Sequence, residues 1–405
     1  MTHHGQLRVL LTAPDVYHQA TGEAFVAWRW AEALSDEVEL TVFCFGDDNK
    51  EPLKHALPKA RVVTAPKPRL FSRFKRFEAM AKPHYPAFMK SAHRFMREHR
   101  GQFDIAHQIM PQGARYPIPL RGHGVPYVVG PLGGSLETPK AFRSEAKSAA
   151  WFTKARALDH WRFRNDPWLR RSYADAALVL GVAPYVNDIL SDIQLRRFET
   201  VLELGVQDIP PAPQRDGEKS EIKLLHVGRG VRTKGLRDVV RALSILKDEF
   251  PDLTLLSAGT GEEIDICISE AEQLGIRDRI EFLGLIPRNE VETLYQKADI
   301  FAFPSFREPA GNVLYEAMRW GLPVIAAARG GPDWIVDDQT GFRIPVTEPG
   351  QYAKDIASAI RELVTNPAKR LAMGEAARAK LAREALWPAK AKHLVSLYKD
   401  VLQHT

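Results

Sequence analysis

Cysteine is nearly absent: Cys44 and Cys267 are the two that the 405 residues contain, and both lie inside apolar segments. Two such cysteines indicate neither a disulfide framework nor a cysteine-based metal cluster, and buried thiols are expected. The chain also lacks any run approaching ~18 uninterrupted apolar residues, and the N-terminal stretch LRVLLTAP is short and ends at Pro14. We therefore expect neither a membrane-spanning helix nor a secretion signal, and a cytoplasmic location.

The composition is globular, with 45% hydrophobic and 26% charged residues, and the length predicts two domains of ~150–200 residues each. The net charge of +6 is unevenly spread. Many lysines and arginines but two glutamates lie between residues 61 and 100, and a second basic run carries Trp151, Trp161 and Trp168. Such runs are usually solvated faces. They can also hold an anionic membrane surface, a phosphorylated substrate or nucleic acid.

Short apolar strand patterns alternate with helical patterns in both halves of the chain, which predicts parallel sheets covered by helices. Between the halves, prolines, Gly217 and charged residues cluster without periodicity, which is typical of a linker. The predicted organisation is an N-terminal domain over residues 1–207, a linker over 208–220, a C-terminal domain over 221–385, and a C-terminal helix over 386–405 that packs back on the first domain.

The turn GRGVRTKG, residues 228–235, follows the strand pattern IKLLHVG and precedes a helix. Its glycines allow close backbone approach, the helix N-terminus favours an anion, and Arg229 and Lys234 add positive charge, so a diphosphate would fit. The Walker A pattern is absent, which disfavours a P-loop NTPase. Exposed loop cations without a ligand are the alternative. A second glycine turn at residues 259–261 is a weak dinucleotide signal and fits a tight strand-to-helix turn equally well.

Two glutamates frame the start of a helix in the stretch REPAGNVLYEAM. If that helix begins near Asn312, then Gly311, Asn312 and Val313 offer free backbone amides. Glu308 beside those amides could accept hydrogen bonds from sugar hydroxyls, and Glu316, one turn into the helix, could hold a ribose diol. A solvated loop glutamate and a surface helix glutamate are the alternative.

On these motifs the sequence resembles the retaining glycosyltransferases of family 4, also called glycosyl transferases group 1. EPAGNVLYE matches the family's two glutamates separated by seven residues, and GRGVRTKG matches its phosphate loop. The resemblance covers nearly all of the C-terminal domain and, more loosely, the N-terminal one. It implies the α/β GT-B fold, in which two Rossmann-like domains face a cleft with their parallel sheets. It also implies retaining transfer of a sugar from a nucleoside-diphosphate sugar to an acceptor hydroxyl, with no metal and no other cofactor.

The resemblance also implies roles for individual residues. Glu308 would contact the donor sugar, and Arg229 with Lys234 would hold the diphosphate. In the N-terminal domain, His107 ends a strand in the family's Asp-x-x-His pattern and is the best candidate for an active-site histidine, although a structural histidine is the alternative. The implied catalytic residues are Glu308, Arg229, Lys234 and His107, the donor-binding residues are Gly22, Gly228, Gly311, Asn312, Val313, Glu316 and Leu283, and the acceptor-site residues are Gly133 and Gly134.

Some positions depart from the family pattern. Ala310 stands where an aromatic residue is common, and Asn312 stands where an apolar residue is common, which indicates an unusual sugar pocket. A single Gly22 replaces a frequent double glycine, and the segment YVVGPLGGS lacks the histidine that many members carry there.

The basic N-terminal half favours a lipid-linked or polysaccharide acceptor at the inner face of the membrane. The expected partners are a nucleotide-sugar donor, a glycan or lipid-linked acceptor and an anionic membrane surface, without nucleic acid. Three alternatives stay open: another GT-B enzyme such as a sugar-nucleotide epimerase or a phosphorylase, a non-catalytic nucleotide-sugar binding protein, and a nucleic-acid binder that uses the basic, Trp-rich half.

Overall fold

The computed structural model describes residues 6–20, 22–46, 52–68, 82–146, 159, 161–213, 215 and 221–405. The chain divides into two compact units. Unit 1 comprises Met1–Gly134, Lys154–Leu204 and Trp387–Thr405, and unit 2 comprises Ser135–Thr153 and Gly205–Leu386.

Unit 1 is built on a seven-stranded sheet in which all the described pairings are parallel. Its strands are β1 (Arg8–Thr12), β2 (Glu39–Gly46), β3 (Arg61–Pro66), β4 (Ile105–Gln108), β5 (Tyr127–Leu132), β6 (Leu178–Gly181) and β7 (Phe198–Thr200). They lie in the order β3-β2-β1-β4-β5-β6-β7. The helices that the structure describes here are α1 (Glu23–Leu34), α2 (Leu53–Ala56), α3 (Tyr85–Glu98), α4 (Pro167–Ala174) and α5 (Tyr185–Ile189).

Strand β1 shows why this sheet needs a helical layer on both faces. Successive residues of a strand point to opposite faces, and Val9, Leu10 and Leu11 are all fully buried. Val9 and Leu11 join one hydrophobic cluster together with α1, whereas Leu10 joins a second cluster together with α3. A continuous apolar strand of this kind is typical of the centre of a parallel sheet.

Unit 2 is built on a six-stranded sheet whose described pairings are again parallel. Its strands are β8 (Lys223–Val227), β9 (Thr254–Ala258), β10 (Ile280–Gly284), β11 (Ile300–Phe303), β12 (Val324–Ala327) and β13 (Gly341–Ile344), and they lie in the order β10-β9-β8-β11-β12-β13. Its helices are α6 (Leu236–Ile245), α7 (Glu263–Gln273), α8 (Arg288–Lys297), α9 (Asn312–Arg319), α10 (Gly331–Ile335), α11 (Pro349–Thr365) and α12 (Pro367–Glu384). The core lies between the sheet and α6 with α11.

The C-terminal helix α13 (Trp387–Gln403) belongs to unit 1 rather than to the unit that precedes it in the chain. Its first residue, Trp387, packs edge-on against Trp30 of α1, with ring centroids 5.4 Å apart. Two buried tryptophans in this geometry contribute a large apolar area and a favourable aromatic contact. No helix in the described part of the chain is long and apolar enough to span a membrane.

Residues 135–146 group with unit 2, whereas the sequence analysis places the whole of residues 1–207 in the first domain. Phe142 is fully buried, and its ring lies 4.5 Å from that of Phe306 and 5.7 Å from that of Tyr352. The segment has no strand or helix periodicity, so its sequence pattern does not indicate which core receives the phenylalanine.

Part of the predicted linker also packs on unit 2. Arg215 donates hydrogen bonds of 3.0 Å to the carbonyl oxygens of Tyr295 and Trp320. Asp208 pairs with Arg319 of α9. These residues therefore form ordered contacts within unit 2, to which they belong.

Candidate active site

The order of strands in unit 2 identifies where a ligand is expected to bind. From β8 the chain continues to β9 on one side, and from β11 it continues to β12 on the other side. The two neighbouring strands β8 and β11 therefore mark the switch point of a doubly wound sheet, where loops diverge and leave a crevice beyond the carboxyl ends. The loops that follow them are residues 228–235 and residues 304–311, which are the two motifs selected in the sequence.

These two loops pack against each other through their backbones. Gly235 has a φ of 81°, and a Cβ at this position would lie 2.3 Å from the carbonyl oxygen of Pro304, so no other residue fits there. The Ser305 hydroxyl donates a 3.0 Å hydrogen bond to the carbonyl oxygen of Thr233. The geometry of one loop therefore depends on the geometry of the other.

Lys234 and Glu308 meet at this junction and form an ion pair. Each side chain retains 14% of its accessible surface, so the pair is largely screened from water but can still be reached. The Lys234 ammonium also lies 5.5 Å from the centroid of the Phe303 ring, in position for a cation–π interaction. The predicted diphosphate cation and the predicted sugar-binding carboxylate are thus direct neighbours.

His226 of β8 holds the backbone of the same loop in place. It is buried on β8, and its Nε2 donates to the carbonyl oxygen of Lys234 at 3.1 Å. Burial lowers the pKa of His226 to about 4, so the ring is neutral at ordinary pH. Neutral imidazole is the form expected beside a lysine.

The glycine turn at residues 259–261 packs closely against the backbone of the loop at residues 228–235. A Cβ on Gly259 would lie 1.8 Å from the carbonyl oxygen of Gly228, and a Cβ on Gly261 would lie 2.2 Å from that of Gly230. The amide of Gly230 donates to the Thr260 carbonyl at 2.8 Å. The tight-turn interpretation of residues 259–261 accounts for these contacts.

The cations of the loop 228–235 divide into two kinds. Arg229 is exposed and makes no ion pair with any residue that the structure describes. Arg232 is buried, with hydrogen bonds of 2.6 and 2.8 Å to Asp238 and of 2.8 and 2.6 Å to Glu145. Burial acts to lower the pKa of Arg232, but the bonds to Asp238 and Glu145 outweigh it and hold the pKa above its usual value. Arg232 is therefore a structural cation, whereas Arg229 is an exposed one.

Helix α9 begins at Asn312, directly after Gly311, as the sequence predicts. The first amides of a helix have no intrahelical acceptor, so those of Asn312 and Val313 are available to a ligand. The carbonyl oxygen of Glu308 accepts a 3.0 Å hydrogen bond from the amide of Gly331, which fixes the backbone of the loop before the helix.

Glu316 lies on α9, where its side chain remains 41% exposed. The buried Tyr295 of α8 donates its hydroxyl to Glu316 Oε2 at 3.1 Å, and Arg288 lies 3.9 Å from Oε1. Burial raises the pKa of Glu316, and the charge of Arg288 and the Tyr295 hydrogen bond partly offset that effect. Leu283, predicted among the donor-binding residues, lies on the edge strand β10, which β9 separates from β8.

The remaining predicted site residues lie in unit 1. Gly22 has a φ of 68° and directly precedes α1. The amide of Gly133 donates to the carbonyl oxygen of Gln112 at 3.0 Å, and that of Gly134 donates to the Tyr185 hydroxyl at 3.1 Å. These two hydrogen bonds and the φ of Gly22 define local backbone structure.

His107, the candidate active-site histidine of the sequence, is buried in the core of unit 1. It has no exposed surface, its Nε2 donates to the carbonyl oxygen of Gly130 at 2.6 Å, and its Nδ1 accepts from the Tyr398 hydroxyl at 2.6 Å. Burial lowers the pKa of His107 to about 4. Because both ring nitrogens are occupied, the imidazole has no atom left for a substrate. A strand-end position does not distinguish a buried ring from one that reaches a ligand.

Among the described residues, no group of three or more His, Cys, Asp or Glu side chains could hold a metal ion.

Comparison with solved structures identifies the fold. Sucrose-phosphate synthase from Thermosynechococcus elongatus superposes over 99% of this chain and 100% of its own, with a TM-score of 0.66 and 20% identity. The Anabaena protein HepE, solved in complex with UDP-glucose, superposes over 97% of this chain and 100% of its own, with a TM-score of 0.60 and 18% identity. These likenesses, with the two parallel sheets, confirm the predicted GT-B class of two Rossmann-like domains.

Comparison of sequences gives the family. Residues 21–205 match the family described as glycosyl transferase 4-like domain, and residues 210–380 match glycosyl transferases group 1. The chain belongs to the group 1 glycosyltransferases of family 4. A D-inositol 3-phosphate glycosyltransferase from Corynebacterium aurimucosum is 34% identical over 183 residues, which is 44% of this chain and 42% of that relative. The chain thus spans less than half the length of this curated relative.

Sequence reasoning missed three features of the site. The bond from Tyr295 to Glu316 joins different helices, and no motif contains both residues. Glu145, which pairs with Arg232, lies 87 residues away in the chain. His226 was visible only as one polar residue in an apolar strand, and that contrast is the one signal that could have singled it out.

Proposed function

We propose that the chain is a retaining glycosyltransferase that moves a sugar from a nucleoside-diphosphate sugar to an acceptor hydroxyl. The observation that carries the proposal is the contact between Lys234 and Glu308 at the switch point of unit 2. It places a cation suited to a diphosphate beside a carboxylate suited to sugar hydroxyls, next to the free amides of α9.

The donor is a nucleoside-diphosphate sugar in this proposal. Lys234 and the exposed Arg229 hold the diphosphate, the amides of Asn312 and Val313 face the sugar end, and Glu316 accepts from the ribose. The UDP-glucose complex of the Anabaena protein HepE supports this donor class.

Departure of the nucleoside diphosphate builds negative charge on the leaving oxygen. Fixed cations at Lys234 and Arg229 stabilise that charge most where water is excluded. Retention would result from attack of the acceptor hydroxyl on the same face that the diphosphate leaves, with a donor phosphate oxygen taking the proton. This route needs no protein nucleophile, no protein base and no metal or other cofactor.

The acceptor in this proposal is a lipid-linked or polysaccharide intermediate at the inner face of a membrane. The support comes from unit 1, where Trp161 and Trp168 are 58% and 53% exposed and the neighbouring Arg164 and Arg171 are exposed as well. Exposed tryptophans beside arginines suit an anionic lipid surface. Arg73, Lys75 and Arg76, which belong to the basic run between residues 61 and 100, lie outside the described residues.

Donor binding is tested by thermal unfolding of the purified chain with UDP, GDP, ADP, TDP and CMP sugars, because a ligand of the folded state raises Tm. We expect one nucleoside-diphosphate sugar to stabilise the wild type and not Lys234→Met. Lys380→Met is the matched control, since Lys380 forms an ion pair with Asp337 in the same unit and is 16% exposed. Stabilisation that survives Lys234→Met, or none with any sugar nucleotide, would contradict the proposed donor site.

Transfer itself is tested with the donor so identified. Glu308→Gln and Lys234→Met should abolish transfer, while Lys380→Met keeps it. The anomeric configuration of the product, read by NMR, tests retention. Release of an epimerised nucleotide sugar, or cleavage that requires inorganic phosphate, would instead identify an epimerase or a phosphorylase.

Membrane contact is tested by sedimentation with vesicles of phosphatidylglycerol and phosphatidylcholine. We expect Trp161→Ala/Trp168→Ala to lose binding that the wild type shows with the anionic vesicles. Trp334→Ala is the control, because Trp334 is 47% exposed in the other unit. Equal binding to purely zwitterionic vesicles would refute the electrostatic part of the proposal.

A further inference from the structure

Tyr295 is a buried residue whose one polar atom is directed at the site. It is 1% exposed, and its hydroxyl donates to Glu316 Oε2 at 3.1 Å. Tyrosine hydroxyls that are buried nearly always find a partner, and this one finds a carboxylate that is itself half-exposed. The hydroxyl thus reaches a ligand-accessible group from the protein interior.

The tyrosine is held on both sides. Its ring packs against Phe301 of β11, with centroids 5.6 Å apart, and its carbonyl oxygen accepts a 3.0 Å hydrogen bond from Arg215. Because its ring packs on a strand and its backbone is hydrogen-bonded, the Tyr295 side chain cannot move with Glu316 when the Glu316 side chain rotates. The glutamate therefore has to adapt to the tyrosine.

We propose that Tyr295 is a positioning residue for donor binding: its hydroxyl holds one carboxylate oxygen of Glu316, and the carboxylate is thereby oriented towards the ribose diol. The inference rests on the proposed function, in which Glu316 contacts the ribose. It adds a residue on α8 to a site built otherwise from β8, β11 and α9.

The same hydrogen bond favours the ionised form of Glu316 and opposes burial, which raises the pKa of this carboxyl. The groups that face the carboxylate are Tyr295, Arg288 and Glu292 on α8 and Arg319 on α9. Burial and Glu292 favour the protonated acid, whereas Arg288, Arg319 and the Tyr295 hydroxyl favour the carboxylate. A protonated Glu316 has one acceptor oxygen fewer for a diol, so loss of the hydroxyl should weaken ligand binding most at acid pH.

The test is Tyr295→Phe in the full chain, which removes the hydroxyl and keeps the ring. The probe is the tightest binder among UDP, GDP, ADP and TDP, with Kd measured by calorimetry between pH 5 and pH 8. Hydrogen bonds to charged groups contribute ~1.5–3 kcal/mol, so we expect Kd to rise about 10-fold or more at acid pH. We also expect the acid limb of the binding profile to move to higher pH, which a merely structural role would not cause.

Two further variants locate the effect. In a Glu316→Gln background, Tyr295→Phe should change Kd by less than about 2-fold, because the group on which the hydroxyl acts is gone. Tyr398→Phe removes a buried hydroxyl from unit 1 and should leave Kd and its pH profile unchanged.

The outcomes separate the inference from the proposed function. If Glu316→Gln weakens binding and Tyr295→Phe leaves both Kd and the pH profile unchanged, the inference is wrong and the ribose role of Glu316 stands. If Tyr295→Phe weakens binding equally with and without Glu316, the tyrosine does not act through the glutamate and the inference is again wrong. If no nucleoside diphosphate binds the wild type, the proposed donor site is wrong and the inference falls with it.

Discussion

Replacing Arg232 with methionine should destabilise the protein strongly, although this arginine lies in the loop that we assign to the diphosphate. The guanidinium bonds to Asp238 at 2.6 and 2.8 Å, and the side chains of Arg232 and Asp238 retain 3% and 0% of their surface. A thioether fills a similar volume but leaves Asp238 as a buried charge without its partner.

The expected loss of unfolding free energy depends on how deeply the remaining partner of Arg232 is buried. Removing one member of a buried ion pair costs ~3–5 kcal/mol of unfolding free energy, because the other charge is left uncompensated. Glu145 is also a partner of Arg232, but its side chain is 22% exposed, so Glu145→Gln should cost less, about 1–2 kcal/mol. The pair Arg343 and Asp338, exposed by 37% and 90%, is the control, and Arg343→Met should cost under ~1 kcal/mol.

The assay is urea unfolding of each variant from pH 4 to pH 8. In Arg232→Met, burial raises the folded-state pKa of Asp238 above its unfolded value, so the folded state binds the extra proton. The stability of Arg232→Met should therefore fall as pH rises, relative to the wild type, and Arg232→Met/Asp238→Asn should recover most of the loss at neutral pH. An Arg232→Met variant within ~1 kcal/mol of the wild type, or a deficit that the second substitution does not reduce, would refute the reasoning.

Burial lowers the pKa of His107 and of His226 to about 4, so each contributes stability that is present above about pH 6.5 and is lost as pH falls towards 4, up to ~3 kcal/mol apiece. Urea midpoints should fall over this pH window, and His107→Asn should reduce the slope; an unchanged slope would contradict the assignment. Tyr398→Phe removes the hydroxyl bond to His107 and should lower the unfolding free energy by ~1–2 kcal/mol at pH 7, measured in the same way. Gly259→Ala would place a Cβ 1.8 Å from the Gly228 carbonyl oxygen and should cost at least ~3 kcal/mol, whereas alanine at the open, surface position Gly275 should cost clearly less.

Much of the fold and part of the site could be predicted because their signals are local. Apolar runs bounded by glycine and proline predict the strands, and a glycine before the run NVLYEAM predicts where α9 begins. Parallel strands bring their following loops to one edge, so the contact of Lys234 with Glu308 follows from topology once both loops are assigned.

What could not be predicted depends on which side chains are buried. Arg229 and Arg232 stand three residues apart in one basic loop, yet one is exposed and the other pairs with Asp238 in the core. Phe142 joins the core of unit 2 from a segment without periodicity. In each case burial depends on how the side chain packs in the folded unit, and a single sequence does not encode that packing as a local pattern.

The ion pair between Lys234 and Glu308 also explains how the site can be stable before a ligand arrives. A lysine at 14% exposure beside the Phe303 ring would lose hydration without compensation if the glutamate were absent. In the proposed function, a bound diphosphate would offer Lys234 a stronger anionic partner and would free the Glu308 carboxylate, whose backbone the Gly331 amide holds in place. The Glu308 carboxylate would then lack a hydrogen-bond donor. The hydroxyls of a sugar attached to that diphosphate could donate to it. In the proposed function, charge exchange within this one pair would therefore link recognition of the diphosphate to recognition of the sugar.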